Sequence, residues 1–99
     1  MPFDSAIDDY LHLIVRTRPW TKKREEELLT EFEEWLYEQH THRFETGEVT
    51  PELAAQYTST INLSMAERDE LLGVLRVFSL WAVQQQIIAT NQFELAATL

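Results

Sequence analysis

The sequence predicts an all-α fold, a compact four-helix orthogonal bundle, from a chain of 99 residues. Three observations carry that expectation. Apolar residues recur at three- and four-residue spacing along most of the chain, with no strand-like alternation and no hairpin turn. Only two Gly and three Pro interrupt it, which favours long helices. Two helix starts are written in local chemistry, Thr50-Pro51 and Ser64-Met65-Ala66-Glu67.

The first helix should span about residues 4–17. Phe3, Ile7, Tyr10, Leu11 and Ile14 form its apolar stripe. Asp4 or Ser5 can cap its free N–H groups, and Pro19 stops it. Asp8 and Asp9 near its start, and Arg16 and Arg18 near its end, complement the helix dipole. The second should span about 21–39, with Thr21 as N-cap. Leu28, Leu29, Phe32, Trp35 and Leu36 make its buried stripe, while Glu25, Glu26, Glu27, Glu31, Glu33, Glu34 and Glu38 mostly cover the outside. Lys22, Lys23 and Arg24 occupy its first turn, where the dipole disfavours cations by about 0.3 kcal/mol or more.

Residues from His40 to Glu48 read as a loop. The third helix should span about 50–61, with Pro51 at its first position. Leu53, Ala54, Tyr57 and Ile61 supply a narrow apolar face, and Asn62-Leu63 a tight connection. The fourth should span about 64–86, opened by a capping box between Ser64 and Glu67. Leu71, Leu72, Val74, Leu75, Val77, Phe78, Trp81 and Ala82 cover more than one face, so it should be the most buried element. Gly73 costs about 1 kcal/mol against Ala in a helix, which implies close approach by a neighbouring helix. Leu29, Phe32, Leu36, Tyr57, Leu72, Leu75 and Phe78 should share one core.

A chain of this length is one domain. It has no Cys, hence no disulfide framework and no thiolate metal site. That composition fits a reducing, cytoplasmic setting. No signal peptide is expected, and no apolar run approaches the ~18 residues of a membrane span. Net charge is −9, from 8 Lys+Arg against 17 Asp+Glu, which as a whole disfavours phosphate binding. The distribution is uneven. Arg16, Arg18, Lys22, Lys23 and Arg24 form an acid-free window of +5, leaving −14 on the rest, with 3 basic against 17 acidic residues. Such asymmetry can place a basic patch on an acidic body, although on charge alone a solvated helix start is the favoured reading.

Other candidate chemistry is thin. His40 and His42, with Glu38 and Glu45 nearby, do not have zinc spacing and read as solvated loop histidines. His12 reads as a surface or boundary residue. The glutamates of the second helix read as a solvent face rather than paired acid–base carboxylates. Gly47 and Gly73 stand alone, so no phosphate-binding loop is present in the sequence. The three Trp read as packing residues rather than base-stacking platforms. No catalytic residue, metal or cofactor is expected.

The order of these segments resembles the N-terminal core-binding, SAM-like domain of tyrosine recombinases and phage integrases. In the second helix, Thr21 is followed at family spacing by Glu25, Leu29, Phe32 and Leu36, with Glu25 in place of a usual aromatic. Val49, Thr50, Pro51, Glu52, Leu53 and Tyr57 reproduce the opening of the family's third helix. Leu63, Ser64, Arg68, Leu72, Leu75, Arg76, Phe78, Trp81, Ala82, Ile88 and Asn91 fall in register with the fourth helix and its exit, where Gln92 replaces the usual Pro. The match covers residues 3 to 92, so residues 1–92 are expected to be the core-binding domain and 93–99 the start of a linker toward a catalytic domain. In the family that separate domain holds the residues that cleave DNA; Tyr10, Tyr37 and Tyr57 are not placed like nucleophiles.

The resemblance implies a DNA-binding module, one half of a clamp around duplex DNA during site-specific recombination. Its second and fourth helices would meet the duplex. Lys22, Lys23 and Arg24 would contact phosphates, with Arg68 and Arg76 on the fourth helix. Thr21 and Ser64 would add hydrogen bonds, and Arg16 and Arg18 would enlarge the patch. Expected partners are double-stranded DNA and other recombinase protomers, with no membrane. The competing reading is an acidic helical protein–protein interaction domain without DNA binding. A weaker one is an acidic mimic that occupies a DNA-binding surface.

Overall fold

The chain begins by borrowing its first hydrogen bonds from a distant loop. In the computed structural model, which describes residues 1–96, helix α1 spans Phe3–Thr17. Its N-cap is Pro2, and no side chain caps it. The Phe3 N–H donates to the Phe44 carbonyl at 2.9 Å, and Pro2 forms a bridge with Glu45. Because the 44–45 backbone supplies an acceptor, the helix starts ahead of the expected Asp4 or Ser5 cap. The Asp4 carboxylate instead accepts the Ser5 N–H at 2.8 Å.

A single 3₁₀ turn, Pro19–Thr21, leads into α2, Lys22–His40. Thr41 ends α2 in the left-handed conformation, its N–H donating to the Tyr37 carbonyl at 2.8 Å. The following segment is more ordered than a loop reading suggests. It contains a 3₁₀ turn, Thr46–Glu48, closed by a reciprocal cap between Glu45 and Glu48, and it buries Phe44, Thr46 and Val49.

Helix α3, Pro51–Thr60, starts as its sequence predicts, with the Thr50 hydroxyl accepting the Leu53 N–H at 3.3 Å. Ile61 does not belong to its buried face. It lies beyond the helix end and is exposed, because Asn62 turns the chain in the left-handed region. The Leu63 N–H then returns to the Thr58 carbonyl at 3.0 Å.

Helix α4, Met65–Gln84, opens with the expected capping box of Ser64 and Glu67. It ends at Gln84 because Gln86 takes a left-handed conformation and the Ile87 N–H folds back to the Ala82 carbonyl at 2.9 Å. Asn91 pins the exit. Its amide donates to the Arg76 carbonyl at 3.1 Å, and its side-chain oxygen accepts the Phe93 N–H at 3.0 Å. A short helix α5, Phe93–Ala96, follows. The Phe93 ring is buried in the main core; of the segment expected to begin a linker, residues 97–99 lie outside the described ones.

One core joins these elements. Phe3 meets Phe32 and Phe78 edge-on, with ring centroids 6.1 and 5.6 Å apart, and Tyr10 meets Phe78 and Trp81 at 5.4 and 5.6 Å. Leu29, Phe32, Leu36, Tyr57, Leu75 and Phe78 are all buried there, as the spacing predicts, while Leu72 is only partly covered. The most buried helix is α1 rather than α4. Six of the 15 residues of α1 are buried, against five of the 20 of α4. Met65, Val77 and Leu80 on α4 remain exposed, since no element covers those flanks. An added Cβ on Gly73 would meet nothing within 4 Å, so close helix packing is not the reason for this glycine. Among the described residues there is no helix long and apolar enough to cross a membrane.

Candidate nucleic-acid interface

The basic window lies across the end of α1, the 3₁₀ turn and the first turn of α2, and its cations have different fates. Arg18 turns inward. Its Nη2 donates to the Tyr10 hydroxyl at 2.9 Å and sits 3.3 Å from Glu25 Oε1. Tyr10 in turn donates to Glu25 Oε1 at 2.6 Å, and the Thr21 hydroxyl donates to Glu25 Oε2 at 2.6 Å. Glu25 is only 5% exposed, so the assignment of this residue to the outer glutamate face is corrected. It occupies a position where an apolar side chain was expected, and polar partners on α1 and the turn make its burial tolerable. Burial, and then the Glu25 carboxylate, push the Tyr10 phenol well above the ordinary tyrosine range. Among the described residues, no buried side-chain polar atom lacks a partner.

Thr21 therefore is the residue before α2 but caps it with no side-chain hydrogen bond; its hydroxyl is taken by Glu25 and lies 3.1 Å from the Arg18 carbonyl oxygen. Lys22 pairs with Glu26 at 2.9 Å on the next turn. Arg24 reaches across to α4 in a two-pronged pair: Nη2 donates to Glu70 Oε1 at 2.7 Å and Nε to Oε2 at 3.0 Å. Its Nη1 also lies 3.5 Å from Glu27. The hydrogen bond from Arg24 holds the Glu70 carboxyl below the ordinary range, and the same bond raises Arg24 further above its own. Arg16 and Lys23 are exposed and, among the described residues, pair with no carboxylate.

The expected contacts on α4 stand elsewhere. Ser64 is occupied as a cap, accepting the Glu67 N–H at 3.2 Å and donating to Glu67 Oε1 at 3.0 Å. Arg68 and Arg76 pair with no carboxylate among the described residues, and both line an open cleft between α3 and α4. At about 100° per residue, Arg68 and Arg76 lie roughly 80° apart around α4 and at least ~120° from Glu70. The structure thus ties Arg24 to the Glu70 side of α4, leaves Lys22 and Lys23 on the same turn of α2, and places Arg68 and Arg76 on a different side of α4.

The histidine cluster is packing. His42 stacks on Phe44 with centroids 4.4 Å apart, and His40 meets the same ring at 5.3 Å. Among the described residues no group of three His, Cys, Asp or Glu is placed to hold a metal. His12 is exposed, its Nδ1 2.8 Å from the Asp8 carbonyl oxygen. Sequence reasoning missed Glu25, Glu70 and the α3–α4 cleft as participants. The signal for Glu25 was available in its register, a charged residue at an apolar position of α2. No family model matches this chain, and neither a curated protein nor a solved structure matches it.

Proposed function

We propose that this chain is a DNA-binding helical domain of the core-binding type, one half of a clamp that positions duplex DNA for recombination carried out by a separate catalytic domain. The observation that supports this reading is the Arg24–Glu70 fork. It holds the first turn of α2 against α4, the two helices that the resemblance sets on the duplex, and Lys22 and Lys23 belong to that same turn. In this reading Lys23 and Arg16 meet phosphates directly, while Lys22 and Arg24 exchange a carboxylate for a phosphate on binding. Thr21 and Arg18 hold the turn through Glu25 rather than touch DNA. The exchange and the net charge of −9 keep binding weak and salt-sensitive.

The test is fluorescence anisotropy of a labelled duplex between about 50 and 200 mM salt. Reversing Lys22, Lys23 and Arg24 to Glu should abolish binding and flatten the salt slope by about three charges. A parent chain that fails to bind at the lowest salt, or a triple variant that binds equally well, refutes the reading. A second reading, an acidic protein-interaction domain, is favoured by one observation. The same face carries Glu27 and Glu70, carboxylates that a duplex must displace and a protein partner need not.

A further inference from the structure

Helices α3 and α4 leave each other apart along one side, and the cleft between them is open over about 1170 Å³. Small residues form part of its walls: Ala54, Ala55, Thr58 and Ser59 from α3, and Gly73 from α4. Apolar surface comes from Leu72, only partly buried, and from Met65, which is 69% exposed. Gly73 is the sharpest feature. It sits inside a 20-residue helix, has an ordinary helical conformation, and has nothing within 4 Å of where its Cβ would be. A mid-helix glycine is unfavourable, and no contact within the described residues accounts for it. An element that approaches from outside accounts for it, because a missing side chain lets a second backbone come close.

The charges on the cleft identify that element. On a chain of net charge −9, the cleft presents Arg68 and Arg76 with only Asp69 against them. Neither arginine is paired with a carboxylate among the described residues, a state they share with Arg16 but not with Arg18, Arg24 or Arg43. Arg68 and Arg76 are eight residues apart on one helix, about 12 Å of rise, with Leu72 midway between them.

We propose that the α3–α4 cleft is a docking groove for an acidic amphipathic helix of a protein partner. Two carboxylates about two turns apart pair with Arg68 and Arg76, and the apolar stripe between them packs on Leu72, Met65 and the small residues around Gly73. This inference stands on surface that the duplex reading does not use, so either can fail without the other.

The probe is a labelled 14-residue helical peptide with Leu at one-turn spacing and Glu on both flanks. A second peptide carries Lys at every Glu position. Binding is read by anisotropy and located by amide chemical-shift changes on the isotope-labelled protein. The acidic peptide should shift resonances of α3 and α4 around residues 54–59 and 68–76. The double reversal Arg68→Glu, Arg76→Glu should weaken it about tenfold or more and improve binding of the Lys peptide. Both arginines are exposed, so this variant should keep its circular dichroism and urea midpoint. Gly73→Leu, which fills open space, should block the acidic peptide while leaving the fold intact. Absence of binding, shifts that lie elsewhere, or binding that ignores the charge reversal would each overturn the proposal. So would a duplex that shifts Arg68 and Arg76 when the peptide does not, since the groove would then face nucleic acid.

Discussion

Replacing Glu25 by Ala should cost this domain about 2–4 kcal/mol, and the reason is what it strands rather than what it removes. Glu25 receives hydrogen bonds from Tyr10 and Thr21, both at 2.6 Å, and lies 3.3 Å from Arg18. Hydrogen bonds to a charged acceptor contribute about 1.5–3 kcal/mol each, and removing one member of a buried ion pair costs about 3–5. The Arg18 side chain is 35% exposed and the half-buried Thr21 hydroxyl can also be hydrated, so both recover part of their loss from water. Tyr10, at 1% exposure, cannot, and its phenol loses its acceptor. In urea, with a slope of about 1.5 kcal/mol per molar, the midpoint should fall by roughly 1.3–2.7 M. Combining Glu25→Met with Tyr10→Phe should recover most of that loss, since an apolar pair needs no partner. A loss below about 0.5 kcal/mol for Glu25→Ala, or no recovery in the double variant, would refute the reasoning.

Phe78→Ala should cost about 3–5 kcal/mol, because the ring is buried against Phe3, Tyr10 and Trp81; a urea titration that finds less than about 1 would place the ring in solvent. Gly73→Ala should stabilise by up to about 1 kcal/mol, since the added methyl meets nothing; a lower thermal midpoint would contradict the open cleft. Acid should weaken the fold through Asp4 and Glu70. Hydrogen bonds from Arg43 and Arg24 lower their folded pKa values, so their contribution is present above the unfolded values and fades as pH falls through the folded ones. Glu33 has the opposite sign. Burial, then Asp4 and Glu34, raise its pKa, so its contribution is lost as pH rises, and Glu33→Gln should raise the urea midpoint at pH 7 and leave it unchanged near pH 3.

What the sequence made legible was chemistry that closes within a turn. Thr50-Pro51 and Ser64-Glu67 start their helices because cap and acceptor are three residues apart. The shared core followed from spacing on each helix, which fixes the buried face whatever lies opposite. Three of the misreadings involve a partner far along the chain. Glu25 looks like surface until Tyr10, 15 residues earlier, turns toward it. Arg24 looks free until Glu70, 46 residues later, takes both its prongs. The α1 start looked to need a side-chain cap until the Phe44 carbonyl arrived. The candidate site is less legible than the fold for the same reason, since charge on a surface is decided by neighbours that periodicity does not name.

The aromatic junction of Phe3 and Tyr10 with Phe78 and Trp81 also governs how the molecule comes into being. Of the four long helices α1 is made before α4, and α4 adds Phe78 and Trp81 to the inward face of α1. A chain halted before α4 would have Phe3 on Phe32 and Tyr10 on Glu25, but would leave both rings without Phe78 and Trp81. At roughly 5–20 residues per second, that unprotected interval lasts several seconds of synthesis, and folding waits for its end. Ordered structure should then appear in a single cooperative step rather than helix by helix.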